Sequence, residues 1–252
     1  MGKRWRWTLG ALIVVCALIA VTAVSLQPTP FAGRPSGPYS SADSSPEFAT
    51  QAAAPVLAPQ PTGPGYVDMI DPTWASETAS RTGIPKLALL AYAGAVVRSR
   101  EVYPDCGIGW NTLAGIGLVE SDHGRHDGSV VGDDFRVRPE IFGVVLDGGE
   151  TENIPDSDGG AIDGISDFDR AVGPMQLIPQ TWESWPSDGN GDAIPDPQNI
   201  ADSAIAAANY MCRAAGEMGT PDGWRTGVAA YNDATTYGQA VAAAAQRYAD
   251  AG

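Results

Sequence analysis

Basic charge is scarce in this chain. Lys and Arg together number 15 against 30 Asp and Glu, giving a formal net charge of −15. Setting aside Lys3, Arg4 and Arg6 at the N-terminus takes the remainder to −18. Such a balance excludes nucleic acid as a partner and docking on anionic membrane surfaces through a basic patch. Nor would it steer a polyanionic substrate inward. Histidine is scarcer still, with only His123 and His126. A zinc site there would need further ligands that the surrounding sequence does not offer. Of the three cysteines, Cys16 lies inside an apolar run behind Val15, where lipidation would need a small residue. Internal repeats and long strand-like alternation are absent, so the class expected is mainly α.

The first 26 residues do not belong to the fold. Thr8–Leu26 carries no charge and follows the basic flank Lys3, Arg4 and Arg6. As a helix it would reach roughly 28 Å, close to the hydrocarbon thickness of a bilayer. The basic flank belongs on the cytoplasmic side, so the bulk of the chain is expected outside the membrane. Residues 1–26 read as a signal anchor or as a signal peptide cut after Ala23, and the length of the run favours the anchor. The protein is therefore expected to be extracytoplasmic, anchored in the membrane or secreted to the cell wall. In that oxidising setting Cys106 and Cys212 are expected to be bridged.

Residues 27–65 hold nine of the 20 prolines among Ser, Thr, Ala and Gly. This composition predicts a disordered linker spanning about 35 Å as a flexible coil and up to about 120 Å extended. The globular domain is expected at 66–252. Asp71-Pro72 reads as an N-cap with Pro at N1, and Gly83 as the stop of the same helix. Further helices are expected at Pro85–Arg100, Asn111–Asp122, Pro179–Trp185, Ile200–Ala215, Trp224–Asn232 and Tyr237–Ala249. Residues 124–172, dense in Gly and Asp, read as a long functional loop region with a short hairpin around Ile141–Leu146.

Glu120 is the most informative residue. Leu113-Ala-Gly-Ile-Gly-Leu-Val-Glu120-Ser121 is otherwise apolar and small, and Leu113, Ile116, Gly117 and Glu120 fall on one helical face. A carboxylate on a buried stripe is costly unless hydrogen-bonded or neutral, and desolvation raises its pKa. A carboxylic acid still protonated near neutral pH is what a general acid requires. A buried Glu paired with an Arg or a backbone amide is the structural alternative. Asp122, Asp127, Asp133 and Asp134 lie nearby and read as solvated loop charges, although a second carboxylate from among them would make a conventional hydrolase.

Glu120-Ser121, Gly173-Pro-Met-Gln176 and Ala230-Tyr-Asn232, in this order and spacing, resemble the lytic transglycosylases of peptidoglycan, best of all the membrane-bound lytic transglycosylase B-like group. The resemblance covers about Ile84 to Tyr248 and implies a lysozyme-like single domain with long acidic loops. It implies cleavage of glycan strands with formation of a 1,6-anhydro sugar, Glu120 serving as acid and then base. No cofactor is required for that chemistry. Ser121, Gln176, Tyr231 and Asn232 would orient the acid or the substrate, with Tyr231 foremost among the tyrosines. Tyr210 and Tyr237 match two further tyrosines of the pattern, and Arg170 would contact a lactyl carboxylate or a peptide stem. A hydrolytic muramidase on the same fold, or a wall-binding module with a structural Glu120, are the rival readings.

Asp188-Gly-Asn190-Gly-Asp192-Ala-Ile194 has the 1, 3, 5, 7 ligand spacing of a calcium loop, Ile194 offering its carbonyl. Ala193 replaces the usual turn Gly, and Asn199 stands where a bidentate Glu is expected. Asp202 resembles the late-closing Asp of the variant loop in the transglycosylase group, which implies a structural Ca²⁺. Asp156-Ser-Asp158-Gly-Gly-Ala-Ile-Asp163 is a second acidic loop.

Overall fold

A computed structural model describes residues 48–149 and 151–252. The proposed signal segment and the first half of the linker, through residue 47, lie outside the described residues. Seven α-helices and two short 3₁₀ helices make the described residues 48% helical, so the class is mainly α. They are α1 (Pro72–Thr82), α2 (Lys86–Val102), α3 (Trp110–Ser121), α4 (Pro179–Ser184), α5 (Ile200–Ala215), α6 (Pro221–Tyr231) and α7 (Thr235–Ala251). Among the described residues no helix is long and apolar enough to cross a membrane.

Local chemistry sets the helix ends. Asp71 caps α1 by accepting from the backbone N–H of Thr73 and Trp74, and Gly83 ends it at φ 74°. Thr220 caps α6 with Pro221 at its first position, three residues ahead of the expected start. α3 packs chiefly against α7, and α2 against α5. The approach of α3 to α7 requires Gly115, where a Cβ would fall 2.9 Å from the carbonyl of Val241. Leu113, Ile116, Met175, Ile200, Met211 and Trp224 fill the core between them. Each such fully buried side chain contributes roughly 1.5–3 kcal/mol relative to exposure. The Cys106–Cys212 disulfide ties the approach to α3 onto α5, with Cα atoms 5.4 Å apart.

The expected linker is overturned over its second half. Residues 48–56 run along the start of α3 instead of standing off as coil. Ala49 is fully buried, and Phe48 meets the Trp224 ring edge-on at 6.4 Å. Gln51 accepts from the N–H of Gly109 at 2.6 Å, and Asn111 accepts from Ala52 N–H while donating to the carbonyls of Thr50 and Ala245. Trp110 Nε1 donates to the Ala53 carbonyl. Farther on, Leu57 bridges to Ile70. Composition shows that the segment has no core of its own; it borrows the domain's.

Residues 124–172 contain little regular structure, as expected. β1 (Val130–Val131) pairs antiparallel with β2 (Val137–Arg138). β3 (Phe142–Val145) lies where a hairpin was expected, but its antiparallel partner is the distant β4 (Arg170–Val172). The acidic loop between them is held by its own aspartates. Asp156 and Asp158 accept backbone N–H groups at 159, 160 and 162. Buried Asp163 and Asp169 accept from Ile165, Arg170 and Ser157.

Candidate active site

α3 is buried on every side from Trp110 to Gly117, so it has no amphipathic stripe. Glu120 comes one turn later, where the helix emerges, and is half-buried at the floor of a cleft of about 400 Å³. Its carboxyl is pushed up to about 7 by loss of hydration; an opposing hydrogen bond, donated by the Tyr237 hydroxyl at 2.5 Å, pulls it down. The group can therefore exist in both protonation states near neutral pH. Burial, and then the charge of Glu120, push the Tyr237 phenol well above its ordinary range, so this donor stays protonated.

The tyrosines divide the work differently from expectation. Tyr237, on α7, reaches the acid; Tyr231, on α6, instead donates to the Met175 carbonyl at 2.5 Å. Tyr210 donates to the Ala230 carbonyl, and its ring lies 6.1 Å from those of Tyr231 and Trp185. Tyr210, Tyr231, Asn232 and Tyr237 line one wall of the cleft with Gln176 at its foot. Asn232 caps its own turn by accepting from Ala234 N–H.

The 173–176 turn is clamped from both sides. Ser121 is buried, donates to the Pro174 carbonyl at 2.6 Å and accepts from Gly124 N–H. It does not line the cleft, so its part is to join the end of α3 to this turn rather than to touch a ligand. Gly173 stands at φ 76°, and a Cβ there would collide with the Pro197 carbonyl. Gln176 has φ 48°, a strained value for a residue with a side chain, and its amide donates to the Gly173 carbonyl. Strain of this kind persists where the surroundings over-determine it, commonly at functional sites.

Arg170 is placed elsewhere. Its guanidinium donates to the Asp163 carbonyl and stacks 4.1 Å from the Phe142 ring centre, fastening the acidic loop to β3. It is not among the residues lining the cleft. The opposite wall was missed by sequence reasoning: Gly143, Val144 and Leu146 around β3, Ala171 on β4, and Glu152 and Ile154 from the loop. Only the hairpin signal near Ile141–Leu146 and the length of the loop pointed there. Glu152 is the one carboxylate besides Glu120 that lines this cleft among the described residues. Asp122, Asp127 and Asp134 are exposed and pair with Arg125, His126 and Arg138 respectively.

Behind α3, His123 is buried with its two ring nitrogens engaged by the hydroxyls of Tyr92 and Tyr248 at 3.0 and 2.9 Å. Burial holds its pKa down at about 3, so the ring is neutral and unavailable to a metal.

The 188–194 loop winds around Asp188, which accepts the N–H groups of Gly191, Asp192 and Ala193. Asp202 closes the loop by accepting from Gly189 at 2.6 Å and Asp196 at 3.0 Å. Its carboxyl is pushed up to about 7, chiefly by burial, while these amide bonds oppose the rise. Asp188 Oδ1 takes two amides, whereas its Oδ2 and each Asp202 oxygen take one and keep a lone pair. Asp188, Asn190, Asp192, Asp202 and the Ile194 carbonyl are oxygen donors of the type Ca²⁺ takes, but the Asp188, Asp192 and Asp202 carboxylates are not gathered into one cluster. In the other acidic loop, oxygens of Asp156, Asp158 and Asp169 lie within 4.8 Å of one another.

No protein-family model matches the chain, and no curated protein or solved structure matches it either.

Proposed function

We propose that this domain is a peptidoglycan lytic transglycosylase of lysozyme-like type, cleaving the bond between N-acetylmuramic acid and N-acetylglucosamine. The observation that carries the reading is the desolvated Glu120 carboxyl at the cleft floor, poised near neutral pH and held by Tyr237. Glu120 gives its proton to the glycosidic oxygen as the C1–O4 bond breaks. The resulting carboxylate then takes the proton of the muramyl C6 hydroxyl as O6 bonds to C1. Glu120 ends as it began, protonated, and no water is consumed. A pKa near the working pH serves both steps. The tyrosine wall supplies rings and hydroxyls suited to sugar faces, and Gln176 and Asn232 supply amides.

The disulfide supports an oxidising, extracytoplasmic setting. Attachment to the membrane rests on the sequence of residues 1–26. Calcium in the 188–194 loop would be structural, since none of its ligands lines the cleft.

Glu152 favours a second reading, an inverting muramidase in which it activates water. Inverting enzymes set their carboxyls roughly 6.5–9.5 Å apart, retaining ones roughly 5 Å. Product chemistry decides between the readings. Sacculi digested in ¹⁸O-water should release strands ending in unlabelled 1,6-anhydro-N-acetylmuramic acid that resists borohydride. Labelled, reducible ends would replace this reading with the muramidase, and binding without solubilised muropeptides would replace it with a wall-binding module.

A further inference from the structure

We propose that a second cavity, between α6 and α7, receives the peptide stem of a glycan strand whose sugars occupy the cleft; this rests on the peptidoglycan reading above. The cavity has a volume of about 320 Å³ and is continuous with the cleft in its lining, since Asn232 borders both. Its lining is apolar at buried Trp224 and Val228 and at exposed Ala229, and it carries Arg225 and Asp233.

Charge selects the occupant. The cleft is lined by two carboxylates and no cation, and Arg170 is held by the acidic loop. Arg225 is the one cation lining either cavity among the described residues. It pairs with Asp222, one turn earlier and 94% exposed. Such surface pairs contribute little, and a planar guanidinium exchanges them readily for a carboxylate it can grip with two hydrogen bonds. A peptide stem offers carboxylates for Arg225, alanine methyls for the apolar lining and the amine of a diamino acid for Asp233. Four extended residues reach roughly 13 Å, enough to turn from a sugar in the cleft into a neighbouring cavity.

Calorimetry tests this on the purified full chain carrying Glu120→Gln, with a free tetrapeptide stem as the probe. The stem should bind, Arg225→Ala should weaken it about tenfold, and Arg225→Lys should fall between. Acetylating the diamino-acid amine should remove the effect of Asp233→Asn. With Glu120 intact, the ratio of kcat/KM on stem-bearing strands to that on strands stripped by an amidase should fall about tenfold in Arg225→Ala. No stem binding, binding indifferent to Arg225, or an unchanged ratio would overturn the proposal. Turnover of neither kind of strand by the unaltered protein would sink the enzymatic reading alone, and calorimetry would then decide the peptide site by itself.

Discussion

The two walls of the cleft are held by different means. On the helical side, Glu120, Tyr231 and Tyr237 stand on α3, α6 and α7, rods locked by a shared core. On the facing side, Glu152 and Ile154 belong to a loop tied to the end of β3 by a few backbone bonds, with aspartates accepting backbone amides farther along it. In the proposed reaction, the groups that hold the proton sit where packing defines position. Under the proposed reaction, proton chemistry belongs to the helical wall.

The strongest test is Glu120→Gln, which should lower turnover of sacculi by about 10²–10⁴-fold. It should also stabilise the protein at alkaline pH. The unfolded chain loses this proton near 4.5, whereas the fold keeps it to about 7. The contribution of Glu120 is thus fully present below pH 4.5 and is lost as pH rises to 7. Above that, the desolvated carboxylate costs up to about 3 kcal/mol, which the amide removes. Melting temperatures should coincide at pH 4 and favour the variant at pH 8. The neutral His123 acts in the opposite sense, losing stability as pH falls from 6.5 toward 3, but it does so equally in both proteins. An inactive variant with no gain at pH 8 would show that the carboxyl is not desolvated.

Next in size is Tyr237→Phe. Losing the hydrogen bond to the charged form raises the pKa of Glu120 further, so the alkaline limb of the rate profile should move to higher pH. The rate at neutral pH should fall about tenfold. An unmoved limb would detach Tyr237 from the acid.

Glu152→Gln probes the loop wall and should change turnover by less than about threefold, since no proton passes through it in the proposed reaction. A hundredfold loss would place chemistry on both walls and support the inverting hydrolase. The smallest effect belongs to calcium. A millimolar addition should raise the melting temperature by about 2–4 °C, corresponding to about 1 kcal/mol, and Asp188→Ala with Asp192→Ala should abolish the shift. Identical curves in chelator and in calcium would remove the ion.

Sequence signals were clear where they were local. Asp71-Pro72 and Gly83 bracketed α1, and Ile200–Ala215 matches α5 at both ends. Glu120 stood out because a carboxylate among small apolar residues has few explanations, and the bridging of Cys106 and Cys212 followed from the expected compartment. Signals failed where position depends on tertiary contacts. Which tyrosine reaches Glu120 is set by how α7 seats on α3 at Gly115, a contact no periodicity reveals. β3 and β4 have four and three residues, too few for alternation to betray a pairing across the acidic loop. Arg170 looked available because its partner is a backbone carbonyl, which has no signature in sequence.

The strap formed by residues 48–53 has a mechanical meaning. It grips the first turn of α3 through Gln51, Asn111 and Trp110, while Glu120 stands at the far end of the same helix. Tension on the chain ahead of residue 48 would load this grip in shear, across several hydrogen bonds and a buried Phe48–Trp224 contact that must fail together. The load would enter a stiff rod at its base and spread into α7 through the Asn111–Ala245 bond. Were residues 1–26 to anchor the chain as proposed, such a load would leave the Glu120 end of that rod still.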